Sequence, residues 1–247
     1  MGLFALFRGR VDCQHGPVTI RNHLAWEAGV LLDAQHLPGV LEARRGAIYD
    51  PHVRSLNRLV ERICSAESES VPWFDPSSGG VNSRVLLLLQ DPSEAASTGS
   101  GFISRHNNDP TAHNTFYAAR EAGLSYTESV HWNVIPWWVK DPSMISGVRR
   151  TLGTETKRSA RYLCEVLSHL DKLEVIVLLG RVAQGAWQSA LKVNPDLSPS
   201  DVRILKCPHT ASRAWNNVDR QTGRLNKDLI IETLREAAEG RTKQSSS

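Results

Sequence analysis

Residues 84–238 read as a three-layer α/β/α sandwich around a central four-stranded parallel sheet, with an N-terminal, mainly helical appendage packed against it. Three observations carry this reading. Continuous apolar runs such as "VLLLL" at 85–89 and "VIVLL" at 175–179 stop at polar or glycine residues, the pattern of short strands buried on both faces. Segments with helical apolar spacing separate these runs, and strand–helix–strand alternation implies right-handed crossovers over a sheet covered on both sides. A chain of 247 residues, 40% apolar and 22% charged, is large enough to bury one substantial core and has an ordinary globular composition.

Helical spacing first appears near 23–32 and 51–66, after which the Ser-, Pro- and Gly-rich stretch "SESVPWFDPSSGGVNS" marks a loop into the main body. Strand 85–89 is then followed by helix 111–122, strand 129–135, helix 156–170, strand 175–179, helix 182–191, strand 202–207 and helix 222–238. The organisation expected is an appendage over 1–80, an α/β domain over 81–240 and a disordered polar tail over 241–247.

Composition narrows the function classes. Against 26 acidic residues stand 29 Lys and Arg, and the resulting charge of +3 permits a polyanionic partner without requiring one. Cys13, Cys64, Cys164 and Cys207 form no CxxC or CxxH pair, so free thiols in a reducing, cytoplasmic compartment are expected, with no metal and no cofactor. The apolar run in "MGLFALF" is too short for a signal peptide, and no run approaches the roughly 18 residues of a membrane span. GxGxxG, GxxxxGKS/T, GxSxG and HExxH are all absent, which removes the simplest dinucleotide, phosphate-cradle, serine-hydrolase and zinc-protease readings.

In open parallel sheets ligands bind beyond the carboxyl ends of the strands. Here those ends read "QDPSEAAS", "NVIPWW", "GRVAQ" and "CPHTASRAWN", which places Asp91, Asn133 and His209 on one rim. A carboxylate, an amide and an imidazole suit a reaction that positions water and stabilises a leaving group. Each also has a commonplace alternative, since Asp-Pro is turn chemistry, asparagine caps helices and a histidine beside proline often serves a loop. Trp132, Trp137 and Trp138 read as packing.

The ordered series "LQDPSEAA", "GFIS", "WNVIPW", "VIVLLGRVAQGAW" and "CPHTASRAW", spread over 84–216, resembles the motif series of the uracil-DNA glycosylase superfamily. The resemblance implies that Asp91, beside Gln90, positions the hydrolytic water and stabilises a cationic sugar, and that Phe102 stacks on a flipped base. It further implies that Asn133 reads the imide edge of uracil and that His209 stabilises the departing base. Ser93, Ser212 and Arg213 fall where the family contacts DNA, Arg213 at the tip of the loop that enters the duplex. In place of the family's aromatic and histidine after the proline, this chain has Ser93 and Glu94. The four-cysteine pattern of the cluster-binding branches is missing. The implied protein is a monomeric, monofunctional glycosylase acting on uracil-containing DNA. A non-catalytic DNA- or damaged-base-binding module of the same fold, suggested by Ser93, and a small-molecule α/β hydrolase stand as alternatives.

Overall fold

The computed structural model describes residues 19–140, 151–193 and 201–240. In chain order the elements are helices His23–Glu27 (α1), Pro38–Gly46 (α2) and Arg54–Glu67 (α3), strands Trp73–Phe74 (β1), Val85–Leu89 (β2) and Phe102–Ile103 (β3), and helix Pro110–Glu121 (α4). Strand Ser129–Asn133 (β4), helix Leu152–Leu167 (α5), strand Val175–Leu179 (β5), helix Arg181–Val193 (α6), strand Arg203–Cys207 (β6) and helices Ser212–Trp215 (α7) and Asn226–Glu239 (α8) follow. Strands β4, β2, β5 and β6 pair in that order, all parallel, as the alternation of strand and helix predicts.

Strand composition decides who sits in the middle. The side chains of β2 and β5 are apolar on both faces, so these two strands occupy the centre, while β4 ("SVHWN") and β6 ("RILKC") carry polar residues and take the edges. Leu86, Leu88, Val130, Trp132, Ile176 and Leu178 point to one face and pack against α3, α5 and α6. On the opposite face Val85, Leu87, Val175 and Val177 meet Ala118 and Ala119 of α4 and Ile230 and Leu234 of α8. Full burial of each such Leu, Ile or Val contributes about 1.5–3 kcal/mol, which makes the two faces of the sheet the main source of cohesion. Because side chains alternate along a strand, the face of β4 turned towards α4 presents Ser129, His131 and Asn133, beside Val85, Leu87 and Leu89 of β2.

The N-terminal part is mainly helical and packs into the core of the sheet. Leu56, Leu59, Val60 and Ile63 of α3 and Phe74 of β1 are fully buried in the same cluster as the sheet residues, with the Phe74 ring stacked on Trp132 at 4.6 Å. Residues 54–74 are therefore part of the main core, and a boundary at residue 80 does not separate two units. Expected helix 23–32 stops at Glu27, where Gly29 takes a left-handed φ of 67°. Helix α2 and the two-residue parallel pair β1–β3 were outside the expected elements. The first is nine residues long and opens on Pro38 and Gly39, which read as a turn, and the second is too short for periodicity to show. The last helix starts at Asn226, since 219–224 are held in a turn around the Asp219 carboxylate, which accepts from the Gln221 and Thr222 backbones. The expected tail over 241–247 lies outside the described residues. None of the described helices is long and apolar enough to cross a membrane, and Cys64, Cys164 and Cys207 are free thiols.

Candidate active site

At the carboxyl end of the sheet, between the β2 and β4 ends, the loop after β6 and the first turns of α4, lies a cavity of ≈ 390 Å³. Gln90, Asp91, Ser93, Asn133 and His209 all line it, so residues far apart along the chain share one recess. The parallel topology brings them together, because every strand delivers its carboxyl end to the same edge.

Asp91 follows directly on β2, where Pro92 prevents further ladder pairing. Its Oδ1 accepts from Gln90 Nε2 at 2.8 Å and its Oδ2 faces the Val139 N–H at 3.4 Å. Burial pushes the Asp91 pKa above the usual carboxylate range, and Gln90, the Val139 amide and Lys140 partly offset that. Asn133 ends β4, is buried, and its side-chain amide makes no hydrogen bond to the described residues, leaving one acceptor and two donors for a ligand.

His209 is held from three sides. Its Nδ1 accepts from the Ala211 N–H at 2.9 Å, which puts the proton of the neutral ring on Nε2. Burial lowers its pKa, so the ring is neutral at neutral pH. Beneath the ring sits Gly180 at φ 87°, where a Cβ would come within 2.9 Å of His209 Cβ; no other residue fits there. The neighbouring Thr210 is fully buried and tied to α4 through Thr115 Oγ1 and Asn114 Nδ2.

Other expected site residues lie differently. Phe102 is a correction: it is fully buried in β3 against Leu32 and Leu41 and does not line the cavity, because the β1–β3 pairing turns its ring into the N-terminal core. Trp138 is the aromatic that lines the recess, whereas Trp132 and Trp137 are buried, as the packing assignment expects. The Ser93 hydroxyl donates to Asp109 Oδ2 at 3.0 Å and accepts from the Ala96 N–H, so it braces the loop from inside. Ser212 and Arg213 are exposed on α7, just beyond the cavity residue Ala211.

Asp109, Arg105 and His131 also line the recess, although sequence reasoning does not single them out. Asp109 is legible as the cap of α4, since Asp-Pro opens the helix and the carboxylate accepts from Thr111 and Ala112. His131 is legible from alternation alone, two residues before Asn133 on the same strand face. Arg105, in a loop without periodicity, gives no such signal. Among the described residues no cluster of His, Cys, Asp and Glu could hold a metal ion.

The chain is similar to mimivirus uracil-DNA glycosylase at 14% identity, with 84% of this chain and 81% of that chain covered and a TM-score of 0.39. A mimivirus UNG variant solved in complex with UGI is similar at 13% identity, with coverages of 73% and 72% and a TM-score of 0.37. No curated protein matches. The family model described as the Uracil DNA glycosylase superfamily matches residues 76–235, a span that holds the whole sheet and every residue of the cavity, and the chain belongs to that superfamily.

Proposed function

We propose that this protein is a monofunctional DNA glycosylase that hydrolyses the N-glycosidic bond of uracil in DNA and leaves an abasic site. The observation that carries the reading is the convergence of Asp91, Asn133 and His209 on one recess. A flipped base entering it meets the Asn133 amide, which has no partner among the described residues, pairs with an imide edge and leaves its own groups unpaired when an amino group comes instead. Trp138 takes the stacking role that the family resemblance gives to Phe102; such stacking is worth about 1–3 kcal/mol per base.

In the chemical step the bond between the sugar C1′ and the base nitrogen breaks and its electron pair leaves with the base. The sugar is left as an oxocarbenium-like cation, which the ionised Asp91 stabilises across a water-poor recess. Water held by Asp91 adds to C1′ and passes a proton to the Asp91 carboxylate, which releases it to solvent and is ionised again. The Nε2–H of neutral His209 donates to a carbonyl oxygen of the departing base, spreading the negative charge. Lys140 at the mouth and Arg213 on α7 are the proposed phosphate contacts.

The reading is tested by incubating the protein with uracil-containing single- and double-stranded oligonucleotides and cleaving abasic sites with alkali. Strand scission that depends on uracil is expected. Intact strands at high protein concentration overturn it.

A further inference from the structure

The partly exposed lining of the cavity carries the carboxylates of Asp91 and Asp109, yet its buried lining has the opposite character. His131 and Arg105 line it and are buried, at 4% and 8% exposure. His131 sits on β4 opposite Leu87, one pleat below Asn133, in a row that β2 fills with apolar side chains. Its ring tilts against Tyr126 at 5.4 Å, and its buried Nε2 has no hydrogen-bond partner. Arg105 lies over the rings of Tyr126 and Phe116 at 4.4 and 5.0 Å, donates to the Leu124 carbonyl, and keeps a buried Nε without a partner.

Two features set this pair apart from ordinary core polarity. The nearby carboxylate, Asp75, is already bound by Arg44, Ser104 and Tyr126, and among the described residues none pairs with Arg105 within 4.0 Å. The Arg105 guanidinium is thus buried beside the cavity with no carboxylate partner among the described residues. Burial, reinforced by Arg105, holds the His131 pKa at about 3, so the imidazole is neutral at any working pH and does not repel the guanidinium. Leaving buried polar groups unpaired is costly, and a ligand that pairs them recovers the cost on binding.

We propose that His131, with Arg105 behind it, is a second recognition element of this site: an electropositive buried lining that receives a carbonyl-bearing edge of the base and stabilises the negative charge the base carries as it leaves. The inference rests on the glycosylase reading and extends it. With carboxylates on its partly exposed lining and a cation on its buried lining, the recess offers a partner to each of the two charges that separate when the bond breaks. The same polarity disfavours a base whose inward edge is an exocyclic amino group, as in cytosine.

The test is the pair His131→Leu and Arg105→Lys, compared with wild type on oligonucleotides carrying uracil or the more acidic leaving group 5-fluorouracil. His131→Leu should keep or raise the melting temperature, because it removes an unpaired buried polar group at similar volume. Uracil excision should fall about 100- to 1000-fold, the scale of one lost donor to a developing anion. The 5-fluorouracil deficit should be smaller, since that base needs less help to carry charge. Arg105→Lys, which keeps the charge, should retain most of the preference. Equal losses on both substrates together with a lower melting temperature would mark a structural role and overturn the proposal. If wild type releases no base at all, the glycosylase reading fails by itself. The buried lining is then judged by calorimetric binding of free uracil, which His131→Leu must weaken and which, if unchanged, refutes it.

Discussion

Asp91 is held in the recess at a cost to stability. Because burial raises its pKa, the folded state favours the protonated form, and its contribution to stability is present below the ordinary carboxylate pKa and lost as pH rises through the folded value. Asp91→Asn is therefore expected to raise the melting temperature at neutral pH, with the gain disappearing below about pH 3.9, while excision drops about 100-fold or more. Thermal unfolding across pH, run beside the excision assay, checks both halves. The same shift places the acid limb of the rate profile above about pH 3.9. His209, whose pKa burial lowers, adds no fall on the alkaline side of its own range. The rate should be level from about pH 7 to 8, and a decline there would point to a required imidazolium.

Two turns at strand and helix ends aim the functional groups. Gly180 closes β5 with a left-handed φ, accepts no Cβ and lets the His209 ring settle on its backbone, while its N–H donates to Cys207 O at 2.9 Å. Gly180→Ala should cost about 1–3 kcal/mol by strain and should reduce excision further by displacing His209. Denaturant unfolding together with the excision rate tests this, and an alanine variant with full activity would show that His209 does not depend on the turn. On the other side of the recess, Asp109 caps α4 and accepts from Ser93, joining the helix to the Asp91 loop. A cap of this kind is usually worth about 0.5–2 kcal/mol, so the helix end and the Asp91 loop stabilise each other.

At the level of the entire chain, the sheet and the N-terminal helices share one core, which makes residues before 80 a condition of folding. A chain truncated to residues 81–247 should fail to give a cooperative unfolding transition, because it loses the fully buried Leu56, Leu59, Val60, Ile63 and Phe74 together. Retention of a sharp transition by the truncated chain would show that residues 81–247 fold without the N-terminal helices. The net charge of +3 is small, so DNA affinity has to come from local basic groups. Replacing both Lys140 and Arg213 by alanine should weaken binding to all sequences alike and flatten the log–log salt dependence by about one for each phosphate no longer neutralised. Titrations of labelled oligonucleotides at several salt concentrations measure that slope.

The sequence by itself determined the sheet and the three polar strand ends, because apolar runs and their abrupt stops are local signals: Val85–Leu89 and Val175–Leu179 had to be central strands, and Asp91, Asn133 and His209 had to follow strands. Tertiary structure alone decided where rings and charges point. The family resemblance implied a base platform at Phe102, but pairing of two-residue strands, whose partners lie 29 positions apart, buried it against Leu32 and Leu41, and it is Trp138 that lines the cavity. Likewise Arg105 is an ordinary loop residue in "SRHNND", and only the packing of Tyr126 and Phe116 around it makes it a buried charge. Burial and charge pairing depend on neighbours distant in the chain, so no local pattern carries them, whereas strand period and turn chemistry are written into consecutive residues.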